Sequence, residues 1–261
     1  MEALIENQVL EYKEAMESLK LSSSVMKGLE EKKLIAVERE RLYRTPVPKD
    51  VQDGYEYQLS KEQQEVVGEI LKEWQQEHPR PCLIKGVTGS GKTQVYMELI
   101  EATLKQGKQV IVLIPEIALT YQNVSRFYSR FGSCVSVINS RLSVGERFDQ
   151  FERAKKGEIS IVIGPRSALF TPFPDLGLIL IDEEHEDSYK SEKTPCYHAR
   201  ETAIQRGKIE GARVVMGSAS PSVESYYRGK TGEYQLLYLN ERYGGKELPQ
   251  VSVVEIGRAH V

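Results

Sequence analysis

The chain has 261 residues, 40% of them hydrophobic, and a formal net charge of −3. That length can bury a sizeable core in one large domain or two smaller ones, while the charge supplies no global attraction to nucleic acid, so such contacts must come from local patches. No apolar run approaches the roughly 20 residues that span a bilayer, and Met1-Glu2-Ala3-Leu4-Ile5-Glu6 lacks the basic-then-apolar order of a signal peptide, so a cytoplasmic protein with no membrane partner is expected.

Residues 4–19 have helical spacing, and Ser22-Ser23-Ser24 offers an N-cap to a second helix over 25–32. Leu34 to Val37 and Arg41 to Tyr43 can pair as a short ribbon around the charged tip Glu38-Arg39-Glu40. This succession over residues 1–45 fits a partial winged-helix DNA-binding module, and it also fits an ordinary helical hairpin with a solvated charge run. Pro46 and Pro48 push their preceding residues toward extended geometry and Asp53-Gly54 is a turn signal, which places a linker over residues 46–58.

After the linker, Ser60 and Gln63 are spaced as a capping box opening an amphipathic helix. Strand and helix signals then alternate. Strands are predicted over 82–85, 109–114, 134–138, 159–163, 178–181 and 213–216, and helices over 93–106, 117–131, 145–156 and 198–209. Apolar strands that do not alternate in polarity, separated by helices, imply a parallel sheet covered by helices on both faces. The fold class is therefore α/β, of the P-loop type. Cys82, Cys134 and Cys196 are odd in number and far apart, which indicates neither a disulfide framework nor a zinc site.

Between the first strand and its helix, Gly86-Val87-Thr88-Gly89-Ser90-Gly91-Lys92-Thr93 fits the pattern G-x-x-x-x-G-K-[ST] without exception. Its glycines let successive backbone N–H groups turn toward phosphate oxygens, and the helix that begins near Lys92 adds its positive N-terminal dipole. Lys92 supplies a point charge for the outer phosphates, and the Thr93 hydroxyl is placed to hold Mg²⁺. The run Leu178-Ile179-Leu180-Ile181 ends in Asp182-Glu183-Glu184-His185. A carboxylate at the C-terminal end of a parallel strand points into the ligand crevice, so Asp182 is expected to be the second Mg²⁺ anchor. Glu183 would orient and deprotonate the attacking water, which favours ATP hydrolysis over plain nucleotide binding. No Leu-Ser-Gly-Gly-Gln run is present, which disfavours an ABC-type ATPase.

The series Gly86 to Thr93, Pro115-Glu116-Ile117-Ala118-Leu119-Thr120, Gly164-Pro165-Arg166-Ser167-Ala168-Leu169-Phe170, Asp182 to His185 and Gly217-Ser218-Ala219-Ser220-Pro221-Ser222 resembles the first motor domain of the superfamily 2 helicases. The stretches Gly86 to Tyr96, Asp182 to Lys190 and Tyr197-His198-Ala199-Arg200 are most similar to the PriA family of replication-restart helicases. The resemblance covers residues 2–256 and implies a RecA-like motor domain over 59–256. It further implies an ATP- and Mg²⁺-dependent 3′ to 5′ DNA helicase of the primosome, acting on branched or single-stranded DNA at forks beside primosome and single-strand-binding proteins. By the same resemblance Gln63 reads adenine, since an amide donates and accepts at once. His185 and Gly217, Ser218, Ala219 and Ser220 would couple the phosphate site to DNA and to a second motor domain. Tyr189, Tyr197 and Arg200 match an aromatic-rich DNA-contacting loop. Arg166 and Ser167, within Gly164 to Phe170, would track a DNA backbone, as would Pro115 to Thr120.

The sequence departs from the family pattern at several positions. Pro165 stands where threonine is usual, Asn139 where histidine is, Cys196 where arginine is, and Ser220 where threonine is. The resemblance also implies a second motor domain and paired zinc-binding cysteines, and no ligands for such a zinc are found in this chain. Residues 257–261 leave the pattern and are expected to be a non-native tail on a gene fragment, which should unwind nothing by itself. Two other readings share the same residues. One is a repair or restriction translocase that moves on duplex DNA without separating strands; the other is a module that uses ATP as a switch to dock on branched DNA.

Overall fold

The computed structural model describes Met16, residues 22–35 and residues 58–242. Two compact units divide the chain, Met1–Tyr43 and Arg44–Val261. In the first unit, helix α1 (Ser23–Glu31) follows an extended Ser22, as the serine run predicts, but Ser22 makes no side-chain cap bond. Its hydroxyl pairs with that of Ser24 at 2.8 Å instead. The helix predicted over 4–19, the ribbon over 34–43, the linker over 46–58 and the tail over 257–261 lie outside the described residues, apart from Met16, Leu34, Ile35 and Gln58.

In the second unit, helix α2 (Lys61–Glu73) opens with the expected capping box between Ser60 and Gln63. Thereafter come β1 (Cys82–Gly86), α3 (Lys92–Leu104), β2 (Gln109–Leu113), α4 (Tyr121–Phe131), β3 (Val135–Val137) and α5 (Val144–Lys155). They are followed by β4 (Ile161–Gly164), β5 (Leu176–Asp182), α6 (Ala199–Glu210), β6 (Arg213–Ser218), α7 (Val223–Lys230) and β7 (Gln235–Leu239). The strands form one sheet in the order β3-β4-β2-β5-β6-β1-β7, and every pairing is parallel.

Successive strand side chains face opposite sides of the sheet, so each strand feeds two cores. Ile84, Val112 and Leu180 pack with Ile70 of α2, Leu99 of α3 and Phe127 of α4. On the other face Leu83, Ile111 and Ile181 pack with Ala154 of α5 and Ala203 of α6. The unbroken apolar run of β5 is thus explained by burial on both faces; Leu178, Ile179, Leu180 and Ile181 are each 0% exposed. Because β5, β6 and β1 are neighbours, their C-terminal ends bring Asp182, Ser218 and Gly86 to one edge of the sheet.

Two features differ from the sequence expectation. The helix predicted over 117–131 begins only at Tyr121, because Thr120 accepts the Asn123 N–H as N-cap. Asn123 Nδ2 in turn holds the Ala118 carbonyl at 2.8 Å, so residues 116–118 close as a single 3₁₀ turn. The second is the pair α7 and β7, for which no element was predicted. β7 pairs with β1, and the Leu239 carbonyl accepts from Val87 N–H at 3.1 Å, which props the start of the glycine loop.

Candidate nucleotide site

The loop Gly86 to Thr93 joins the end of β1 to the first residues of α3. Gly89 and Gly91 have φ of +82° and +80°, the left-handed region that admits glycine without strain. Gly91 has a second requirement, since a Cβ there would lie 2.2 Å from Gln63 Nε2. Gln63 is buried, accepting from Ser60 N–H at 2.9 Å and donating to the Ser90 carbonyl at 2.9 Å, so it braces the loop from α2. The amide that the resemblance assigns to adenine is thus engaged within the fold at both its oxygen and its nitrogen. Gly91→Ala is expected to weaken nucleotide binding about tenfold or more, because it adds left-handed strain and displaces this brace. Titration of a fluorescent ATP analogue checks this, and unchanged affinity would count against it.

Lys92 Nζ donates to the Gly86 carbonyl at 2.9 Å and lies 3.6 Å from Glu183 Oε1. The ammonium is thereby parked over the loop, between a carbonyl and a carboxylate. Asp182 Oδ1 accepts from Tyr96 Oη at 3.0 Å. Desolvation, and secondarily the neighbouring Glu183, push the Asp182 carboxyl up to about 6. Burial, then the same Asp182 charge, raises Tyr96 well above an ordinary phenol, which keeps it a donor. The motif Gly86 to Tyr96 gives Tyr96 no role of its own. Its function depends on a contact across 86 positions of sequence, which no local spacing reveals.

Glu183 has φ of +45°, a left-handed backbone in a non-glycine residue, costing on the order of 1–2 kcal/mol. Its carboxylate lies between Lys92 and His185, whose Nδ1 is 3.6 Å from Glu183 Oε2. His185 Nδ1 also shares a hydrogen bond with Ser218 Oγ at 2.7 Å, and Ser220 N–H donates to that same hydroxyl at 3.0 Å. The residues assigned to coupling are therefore brought together, with Gly217 buried, Ala219 half-buried and Ser220 exposed beside them.

The residues assigned to DNA divide. Tyr197 is half-buried with its ring edge-on to the exposed Phe170, centroids 5.1 Å apart. Arg166 Nη1 donates to the carbonyls of Ser188 and Lys190 at 2.6 and 3.0 Å, and Ser167 is half-buried beside it. Tyr189 and Arg200 correct the sequence reading, being 1% and 7% exposed. The Tyr189 hydroxyl donates toward the Asp182 and Leu113 carbonyls at 2.6 and 3.1 Å, so its ring fills the space under β2 and β5 and offers no face to a base. Arg200 Nη1 donates to the buried Glu184 at 2.8 Å, which occupies the charge that would meet a phosphate. Of the departures, Asn139 accepts from Arg141 and Leu142 N–H at 3.0 and 3.2 Å in a tight turn, and Pro165 precedes the 3₁₀ turn Arg166–Phe170.

The loop fits a polyphosphate on features of its own. Ser90 Oγ is buried with no hydrogen-bond partner, a cost in a folded interior unless something meets it. The left-handed Gly89 and Gly91 turn the loop into the start of α3, where Lys92 stands. Thr93, with its hydroxyl, and Asp182, with its carboxylate, are the hard oxygen donors a divalent cation takes. Among the described residues, no group of three His, Cys, Asp or Glu side chains gathers as a further metal site.

Residues 56–208, more than half of the chain, match the family model described as "Type III restriction enzyme, res subunit". The chain belongs to this family. Within it the chain is PriA-like: it is 44% identical over 236 residues to the Replication restart protein PriA of Bacillus subtilis (strain 168), which covers 90% of this chain and 29% of that protein. To the Replication restart protein PriA of Chlamydia pneumoniae it is 43% identical over 212 residues, 81% of this chain and 27% of the relative. The chain thus spans under a third of the length of these curated relatives. The solved structure of RecG bound to a three-way DNA junction aligns with a TM-score of 0.55 at 22% identity, covering 74% of this chain and 25% of that one. The fold is accordingly RecA-like α/β.

Proposed function

We propose that the full gene product is an ATP-dependent 3′ to 5′ DNA helicase of the replication-restart type. Residues 59–256 are its first motor domain, after a partial winged-helix module at 1–45 and a linker at 46–58. The observation that carries this reading is the meeting of Lys92, Glu183 and Asp182 at the C-terminal ends of β1 and β5. Lys92 would exchange the Gly86 carbonyl for the outer phosphates, where its charge offsets that of the transferring group. Glu183, released from Lys92, would orient and deprotonate water. Thr93 and Asp182 would hold Mg²⁺, which neutralises phosphate charge when bound. Gln63 brings α2 to the loop and to adenine, while His185 and Ser218 pass the state of the site to Gly217–Ser220. Arg166, Ser167 and Tyr197 remain the DNA-facing candidates on this domain.

Relatives named for replication restart, and a RecG solved on a three-way junction, support branched DNA as substrate; primosome and single-strand-binding proteins are the partners that the family resemblance implies. No helix among the described residues is long and apolar enough to cross a membrane.

A forked duplex with a 3′ single-stranded tail tests the reading. The full gene product should displace its strand with ATP and Mg²⁺, leave a duplex with only a 5′ tail intact, and lose displacement about 100-fold or more as Lys92→Ala. The restriction-subunit family model favours a second reading, translocation on duplex DNA without strand separation. ATP-driven displacement of a triplex-forming strand with no unwinding would favour it.

A further inference from the structure

Glu184 is 0% exposed and stands between the two residues that face the nucleotide site and its coupling segment. Its N–H donates to the Gly217 carbonyl at 3.1 Å. Its Oε1 accepts from Ser222 N–H at 2.7 Å. Its Oε2 accepts from Ser222 Oγ at 3.1 Å, Ser225 Oγ at 2.9 Å and Arg200 Nη1 at 2.8 Å. Ser222 is the N-cap of α7 and Ser225 lies in its first turn, so the carboxylate also sits at the positive end of that helix. A buried charge with so complete a set of donors is held in one geometry.

That rigidity bears on its neighbour. Glu183 keeps its left-handed φ of +45° between two fixed points, Asp182, whose carbonyl accepts from Tyr189 Oη at 2.6 Å, and Glu184. A strained residue persists only where its surroundings over-determine it. The consecutive residues Glu184 and His185 also grip the segment that follows β6 at two places, Ser222 beyond the strand and Ser218 at its last residue. Any shift of residues 218–222 is therefore transmitted to the peptide that aims the Glu183 carboxylate.

We infer that Glu184 is a positioning residue for hydrolysis, its carboxylate anchored by Arg200, Ser222 and Ser225 so that the strained Glu183 points its carboxylate at the reacting water and follows the segment after β6. This rests on the reading of the site as one for ATP hydrolysis. A displacement of about 1 Å at a catalytic group can cost 100-fold in rate without touching binding. Glu184 and its anchors should therefore govern kcat, leaving nucleotide affinity alone.

The test uses the full gene product as wild type, Glu184→Gln, Ser225→Ala and Glu183→Gln. Steady-state ATPase with and without forked DNA is measured beside equilibrium binding of a fluorescent ATP analogue and thermal unfolding. Glu184→Gln should lower kcat about tenfold or more and Ser225→Ala about threefold or more, both with nucleotide Kd within about twofold of wild type and a reduced stimulation by DNA. Should Glu184→Gln fold poorly, Ser225→Ala, which removes one hydrogen bond, carries the same kcat-against-Kd comparison. Arg200→Lys should keep more of the turnover than Arg200→Gln, since charge at the Glu184 carboxylate is restored. Wild-type kcat in both Glu184→Gln and Ser225→Ala, or a fall matched by Kd or by the folded fraction, overturns the inference alone. Wild-type turnover in Glu183→Gln, or none in the unaltered protein, overturns the hydrolysis reading and the inference with it.

Discussion

Glu183→Gln is expected to lower single-turnover ATP hydrolysis about 100- to 10,000-fold, the range lost with a general base, and to leave nucleotide affinity equal to or tighter than wild type. The direction of both effects follows from the site. The amide keeps the shape of the side chain and cannot take a proton from water. It also removes the carboxylate that now lies 3.6 Å from Lys92 Nζ, so the ammonium has no such attraction to give up when it moves to phosphate. The same change withdraws the negative neighbour that, after desolvation, holds the Asp182 carboxyl up. Asp182 is then more readily ionised and better suited to a cation. Lys92→Ala should show the opposite division, with binding lost along with turnover. Rapid-quench hydrolysis with enzyme in excess, paired with equilibrium binding, separates the two variants. Hydrolysis within threefold of wild type in Glu183→Gln would remove it from the chemistry.

The parts of this site legible in the sequence are those whose chemistry lies in adjacent residues. Gly86 to Thr93 had to be a strand-to-helix turn because only such a turn uses glycines, a lysine and a hydroxyl at that spacing, and β1 and α3 flank it as expected. Asp182 likewise had to end a buried strand once Leu178 to Ile181 were recognised as apolar on both faces. What the residues could not disclose are contacts made across the sheet. The resemblance places Tyr189 and Arg200 in a DNA-contacting loop, yet the ends of β2 and β5 supply two carbonyls to one and Glu184 supplies a charge to the other. Conversely Phe170, half exposed beside Tyr197, has no role of its own within the motif Gly164 to Phe170, because a motif does not tell which of its side chains reaches the surface. α7 and β7 leave little local signal in the sequence. α7 has eight residues and only Ser225 among them is buried, so no apolar stripe marks it. β7 owes its place to pairing with β1.

Gly217→Ala should cost about 3 kcal/mol of stability, at the upper end of what overpacking a core does, and lower the unfolding midpoint by about 6–12 °C for a domain of this size. Gly217 pairs in register with Asp182 on β5, and its backbone φ is ordinary, so space alone demands glycine there. A Cβ would lie 1.8 Å from Tyr96 Oη and 2.9 Å from its Cζ. Tyr96 is buried on α3 and cannot swing clear without leaving Asp182 Oδ1, 3.0 Å away. A methyl on β6 therefore acts on the Asp182 carboxylate through the tyrosine, and nucleotide-dependent turnover should fall with the stability. Tyr96→Phe alone should cost about 1–2 kcal/mol, the loss of a hydrogen bond to a carboxylate in a desolvated place. The double variant decides the mechanism. Removing the hydroxyl relieves the shorter of the two clashes and leaves the longer, so Gly217→Ala with Tyr96→Phe should be more stable than the sum of the single losses by about 1 kcal/mol or more. Denaturant unfolding of the four proteins measures that coupling. Strict additivity would mean that the alanine is accommodated by a movement of β6, with Tyr96 left in place on Asp182.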